Sequence, residues 1–170
     1  EALRVSAVYR PFLHMKPAAF AHNVVVIGGG SAGLVAAYIA AAVKARVALV
    51  ETHRLGGDCL YTGCVPSKAL LRSAKLLADI RRAPEFGLRA ASADFDFADV
   101  LARVQRVIRD IEPHDSVERY TRLGVTCVEG TATITSPWTV DVAASDGSRQ
   151  TLTTTHIVIA AGARPFVPPL

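Results

Sequence analysis

Cys59 and Cys64 stand five residues apart in the run Gly56-Gly57-Asp58-Cys59-Leu60-Tyr61-Thr62-Gly63-Cys64-Val65-Pro66-Ser67-Lys68. Two thiols can staple a fold, help to hold a metal, or pass electrons. A straight α-helix cannot bring these two together: five residues rise roughly 7.5 Å and turn away from a common face. A disulfide needs Cα atoms within about 7 Å. Pairing would require a bend between the two sulfurs, and Gly63 sits where the backbone bends most easily. A metal site would want more ligands, and of the five histidines (His14, His22, His53, His114, His156) only His53 is near the pair in sequence. A purely structural disulfide belongs to an oxidising compartment. The redox reading fits best, because Cys64 falls in the first turn of a predicted helix, where a thiolate is favoured, and Lys68 is one turn along. A buckled, easily reduced disulfide suits electron transfer more than stapling.

A second motif is Gly28-x-Gly30-x-x-Gly33, filled as Gly28-Gly29-Gly30-Ser31-Ala32-Gly33. It stands between a predicted strand, Asn23 to Ile27, and a predicted helix, Leu34 to Val43. In that place the glycines make a tight turn, admit a pyrophosphate to the backbone and let helix and strand pack closely. The helix start adds N–H donors and a positive dipole end. Glu51 ends the next predicted strand, Arg46 to Glu51, where a carboxylate can accept from adenosine ribose hydroxyls. Strand, helix and acid together point to dinucleotide binding, with FAD and NAD equally compatible with the fingerprint itself.

The elements that position these residues are those of an α/β fold. The first two strands and the helix between them form a βαβ unit with a right-handed crossover. That helix is apolar nearly all round, which predicts burial. Residues 52–63 read as a glycine-rich loop, and a helix follows from about Cys64 to Arg82, with Pro66 tolerated in its first turn. A further helix starts at the N-cap Asp96 and carries Phe97, Val100, Leu101, Val104, Ile108 and Ile111 at helical spacing. Pro113 breaks it, and a short helix continues to Leu123, stopped by Gly124. The pattern then turns to period two, predicting strands at Val125–Glu129, Thr131–Thr135, Trp138–Val142 and, past an Asp146-Gly147 hairpin turn, Thr151–Thr155. A separate apolar strand is expected over His156–Ala160. Arg103 and Arg106 read as a solvated face, and Trp138 as an anchor for the small sheet. Cys127 sits in an apolar strand pattern and reads as a buried thiol.

Composition narrows the function. The chain has 170 residues, 51% hydrophobic and 20% charged, enough for one domain with a real core. The net charge of +4 is dispersed and aromatics make up only 6%, so no nucleic-acid surface is expected. The apolar run from Ala32 to Val50 is interrupted by Lys44 and Arg46 and falls short of a membrane span. No signal peptide is visible, and with three cysteines the expected compartment is reducing and cytoplasmic. Residues 1–22 read as a linker or upstream remnant, and the chain, which begins at Glu1, as a piece of something longer.

The stretch from Gly56 to Lys68 resembles the active-site signature of the class I flavoprotein disulfide reductases, the pyridine nucleotide-disulfide oxidoreductases that include dihydrolipoamide dehydrogenase, glutathione reductase and mercuric reductase. The glycine fingerprint lies at the start, as in that family, and the strand from His156 into Gly162-Ala163-Arg164-Pro165 resembles the family's second FAD-associated segment. Two positions depart from the usual pattern: Asp58 and Ala161 stand where the family often has Thr. The Asp58 form, with Leu60-Tyr61-Thr62, is most similar to the mercuric-reductase-like branch. The resemblance implies a Rossmann-like FAD-binding domain with a parallel sheet and a small inserted antiparallel sheet over residues 23–170, the N-terminal part only. The NAD(P)H and dimerisation domains would lie elsewhere, and this piece alone would not turn over.

It implies FAD as cofactor and NAD(P)H as co-substrate. Gly28, Gly30, Ser31, Ala32 and Gly33 would cradle the pyrophosphate and Glu51 the ribose. Gly56, Gly57, Asp58, Lys68, Ala161 and Gly162 would border the cofactor. Cys64 would be the thiol next to the flavin and Cys59 the one that meets substrate, with no metal. Electrons would pass from NAD(P)H through FAD and a Cys59–Cys64 disulfide to a small disulfide or Hg(II), as in a mercuric reductase. The alternatives are a dihydrolipoamide dehydrogenase and a non-catalytic flavin or redox-sensing module. Tyr61 is a candidate substrate contact. The base serving Cys59 would be a histidine of the partner subunit in a homodimer.

Overall fold

The computed structural model describes residues 15–164 and 166–169. Most of the expected linker, with His14, and also Pro165 lie outside these residues. The chain divides into two compact units, one formed by the stretches up to Gly56 and from Asp115 onward, the other by Gly57–His114.

The first unit is built on one six-stranded sheet. Its strands are β1 (His22–Ile27), β2 (Val47–Glu51), β3 (Val125–Glu129), β4 (Thr131–Ser136), β5 (Thr139–Ala143) and β6 (Arg149–Ile159), in the order β3-β2-β1-β6-β5-β4. β1 pairs parallel with β2 (Val25 opposite Ala48) and with β6 (Val25 opposite Ile157), and β2 pairs parallel with β3. β5 lies antiparallel to both β4 and β6. The strand order reverses at β1, between β2 and β6, which is where ligands collect in open parallel sheets, beyond the carboxyl ends of the strands. Those ends here are Ile27, Glu51, Glu129 and Ile159.

Alternation along β1 fills two faces. Val26 packs with Leu34, Ala37, Leu49 and Tyr120 on the side covered by α1 (Ser31–Ala42), and Val25 and Ile27 pack with Ala48, Val50, Val140, Val142 and Leu152 on the other. Each such fully buried aliphatic side chain contributes roughly 1.5–3 kcal/mol, so the strands that carry the glycine turn are strongly anchored. α5 (Val117–Arg122) is capped by Ser116, whose hydroxyl accepts from the Arg119 N–H at 3.2 Å.

Three expectations are corrected. The two strands expected over Thr151–Thr155 and His156–Ala160 are one continuous strand, β6, which pairs antiparallel at its start and parallel at its end. The expected inserted sheet is therefore the antiparallel margin of the main sheet. Helix α1 is not buried all round: Gly33, Leu34, Ala37 and Ala41 are buried, while Val35, Tyr38, Ile39 and Val43 are exposed. Small residues on one side let it sit close to the sheet, and apolarity on the other side does not by itself create a packing partner.

The second unit holds α2 (Gly57–Tyr61), α3 (Cys64–Arg81) and α4 (Phe97–Ile111). The third correction is α2, a short helix within the expected loop. The core of this unit is Leu60, Ala69, Val104 and Ile108. Asp96 caps α4 as expected, its carboxylate accepting from the Ala98 N–H at 2.8 Å. α4 ends at Ile111, just before Pro113, which lacks the N–H needed to continue it. Among the described residues no helix is long and apolar enough to cross a membrane.

Candidate functional site

In the first unit the glycine turn follows β1 directly. Gly28 has φ +103, and a Cβ there would lie 2.2 Å from the Ala160 carbonyl oxygen. A Cβ on Gly33 would lie 1.8 Å from the Gly28 carbonyl oxygen. These two positions thus exclude every side chain, and strand, turn and helix meet at backbone distance. Gly30 is the N-cap of α1 and has no side chain to cap it. The N–H groups of Ser31, Ala32 and Gly33 belong to the first turn, which has no intrahelical acceptors. That leaves a bare cradle of donors at the positive end of a helix, which fits a dinucleotide pyrophosphate.

Glu51 ties this cradle together. Its Oε2 accepts from the Gly29 N–H at 2.6 Å, and its Oε1 accepts from the Thr52 N–H at 2.8 Å and the His53 N–H at 3.0 Å. Burial by itself pushes this carboxyl up, but the hydrogen bonds from Gly29, His53 and Thr52 together hold it below its usual range. Oε2 keeps room for a second donor such as a ribose hydroxyl. A cleft of about 90 Å³ opens beside it, lined by Gly28, Glu51, Thr52, Gly130, Ala132 and Ala161 among others. Gly56 closes the arrangement by donating its N–H to the Gly29 carbonyl at 2.9 Å. Gly162 has φ +70 and open space around it.

Glu51→Gln is expected to remove the charge while keeping an acceptor. The folded-state pKa is depressed, so the carboxylate adds stability above its unfolded value of about 4.3. That contribution is lost as pH falls through the folded value. Acid titrations of stability should therefore show a shallower loss below pH 4 in the variant than in the parent protein.

Thr52, Gly130 and Ala132 were not singled out from sequence. Gly130 follows β3 with φ +151, and a Cβ there would meet the Ala143 carbonyl oxygen at 2.7 Å. A glycine just past the carboxyl end of a parallel strand was the available signal.

In the second unit Cys59 lies in α2 and Cys64 opens α3. The bend falls between them, as expected: the N–H groups of Thr62 and Gly63 both donate to the Asp58 carbonyl, at 3.0 and 2.6 Å. Gly63 then serves as the N-cap of α3. Cys59 and Cys64 stand here as free thiols, the reduced form of the expected pair, Cys59 half-buried and Cys64 exposed. Hydrogen bonding to Cys64 pushes the Cys59 thiol up, and burial and the neighbouring Cys64 charge act the same way. The Lys68 ammonium and a Cys64 backbone hydrogen bond pull it down, with a net rise. The Lys68 charge thus reaches Cys59. Two free thiols on either side of such a bend are suited to exchange between dithiol and disulfide.

The sign gives a further expectation. Cys64→Ala removes the two causes through the Cys64 side chain that raise the Cys59 thiol and keeps the backbone N–H. Cys59 should then alkylate faster with iodoacetamide at pH 7–8, with its rate profile shifted to lower pH. Cys127 serves as the internal reference, since burial pushes its thiol up and keeps it unreactive.

Asp58 is exposed and its carbonyl, not its carboxylate, makes the bend. Tyr61, considered as a substrate contact, donates its hydroxyl to Glu112 Oε1 at 2.8 Å. Arg103 is not a solvated residue; its Nη1 donates to the Ala69 carbonyl of α3 at 2.9 Å.

A family profile described as pyridine nucleotide-disulphide oxidoreductase matches residues 22–170. The chain belongs to this family. Members of the pyridine nucleotide-disulphide oxidoreductases use FAD together with NAD(P)H. Dihydrolipoyl dehydrogenase of Bacillus subtilis (strain 168) is 35% identical over 157 residues, covering 87% of this chain and 33% of the relative. Dihydrolipoyl dehydrogenase of Chlorobaculum parvum (strain DSM 263 / NCIMB 8327) is 38% identical over 148 residues, covering 86% and 31%. Soluble pyridine nucleotide transhydrogenase of Pseudomonas fluorescens (strain SBW25) is 35% identical over 152 residues, covering 89% and 32%. The chain thus spans about a third of the length of these oxidoreductases.

Proposed function

We propose that this chain is the FAD-binding and dithiol-bearing part of an NAD(P)H-linked disulfide oxidoreductase, acting on a small dithiol–disulfide couple of the dihydrolipoyl type. One observation carries the reading: Cys59 and Cys64 stand as free thiols on either side of a backbone bend, in a chain of this family. The dihydrolipoyl dehydrogenase relatives favour a carbon dithiol over Hg(II) as substrate. Hg(II) stays as the second candidate, because a pair of free thiols also suits a thiophilic cation.

FAD, when bound, supplies the two-electron link between the nicotinamide and the thiol pair. The backbone N–H groups of Gly30 to Gly33 would hold its pyrophosphate and Glu51 its ribose. Gly28 and Gly33 keep side chains out of that space. Gly56, Gly57, Asp58, Lys68, Ala161 and Gly162 would border the rest. In thiol exchange the Cys59 thiolate attacks one sulfur of the substrate disulfide, forming a mixed disulfide and releasing one substrate thiol. Cys64 then attacks the Cys59 sulfur, the second substrate thiol leaves, and the Cys59–Cys64 bond closes. The raised Cys59 thiol needs a base for the first attack, which in the whole protein would come from a partner subunit's histidine.

The test is substrate comparison with the full-length protein. NAD⁺ reduction by dihydrolipoamide well above NAD(P)H oxidation by Hg(II) supports the reading. The reverse order replaces it with the mercuric one, and activity with neither rejects both.

A further inference from the structure

Tyr61 and Glu112 do something that the cysteine motif leaves unassigned. Tyr61 is the last residue of α2, two positions beyond Cys59. Its side chain packs against the core of Leu60, Ala69, Val104 and Ile108, and its hydroxyl donates to Glu112 Oε1 at 2.8 Å. Glu112 is the C-cap of α4. A carboxylate is disfavoured at the negative end of a helix, so the O–H donor offsets a charge placed where the helix alone would not favour it. α4 is itself fixed to α3 by the bond from Arg103 to the Ala69 carbonyl, five residues beyond Cys64. One helix is therefore bonded to both helices that carry thiols.

We propose that the Tyr61–Glu112 bond is a positioning brace that holds the Cys59 helix in register with the start of the Cys64 helix and so sets how readily the two sulfurs join. The proposal rests on reading the pair as a redox couple. α2 has only five residues, too few to be stable alone. Its placement must come from outside, and the brace is bonded to its last residue. Loosening α2 lowers the effective concentration of one thiol at the other. The disulfide then forms less readily.

The reaction used to read this is exchange with glutathione. The S–S bond of oxidised glutathione breaks, the Cys59–Cys64 bond forms, and the two thiol protons leave with two reduced glutathiones. Full-length protein, Tyr61→Phe, Glu112→Ala and the double variant are equilibrated anaerobically in glutathione buffers. Each is quenched in acid, and the disulfide-linked fraction is read by peptide mass spectrometry. Each single variant should lower the equilibrium constant at least threefold, which is about 14 mV at 29.6 mV per decade. The double variant should fall no further than the lower single, because either change removes the same bond. Circular dichroism identifies which variants are folded, and Glu112→Ala decides the matter if Tyr61→Phe is not. An unchanged constant in a folded variant, or a shift toward the disulfide, overturns the brace. A parent protein whose pair does not titrate with glutathione overturns the redox reading instead.

Discussion

Serine at position 64 lowers NAD(P)H-driven disulfide turnover of the full-length protein by on the order of 10³-fold or more. Cys59→Ser does the same. Thiol–disulfide exchange moves two electrons by making one S–S bond and breaking another, and a serine oxygen cannot take part. The two sulfurs act as one unit, so the double variant should be no slower than either single one. Stability should hardly move: Cys64 is exposed and Cys59 half-buried, and neither belongs to the core of Leu60, Ala69, Val104 and Ile108. Steady-state assays and thermal melts on the same preparations separate the two quantities. A Cys64→Ser protein that turns over within tenfold of the parent contradicts the dithiol mechanism.

Gly33→Ala is the second large effect, and it falls on folding and cofactor together. The added methyl would sit 1.8 Å from the Gly28 carbonyl oxygen. The obstacle is backbone, so no rotamer change relieves it. Helix α1 must move off the turn, and its Leu34 loses contact with Val26 of β1. Strain of this kind costs about 1–3 kcal/mol, and the lost burial adds to it. The expected result is a marked drop in midpoint denaturant concentration and release of bound flavin on gel filtration. Gly87→Ala is the control for glycine replacement as such, because nothing lies within 4 Å of its added methyl, although its φ of +75 still carries strain. Equal losses in the two variants would mean that the close approach at Gly33 is not what matters.

Much of this was legible in the residues because the causes are local. A β-branched run, three glycines and an apolar helix make a βαβ turn through neighbours in sequence, and the structure places Gly28, Gly33 and Glu51 together. The Asp96 cap and the bend before Cys64 are likewise short-range. What was not legible depends on distant partners. β6 reads as two strands because its sequence character changes midway, where its partnership changes from β5 to β1. α2 is hidden by its length and its glycines. The exposed side of α1 looks like core because its residues are apolar, yet burial depends on what lies opposite. Arg103 and Glu112 look like ordinary surface charges, and only the packing of α4 against α2 and α3 gives them Ala69 and Tyr61.

The most direct test of the thiol pair is an alkylation count on the full-length protein after mild oxidation. Without a donor, peptide mapping should find Cys59 and Cys64 joined and closed to iodoacetamide. Anaerobic addition of one equivalent of NADH or NADPH should open two alkylation sites, mapped to Cys59 and Cys64, with Cys127 unchanged. If neither nicotinamide exposes those two thiols, electrons do not reach this pair and the account is wrong.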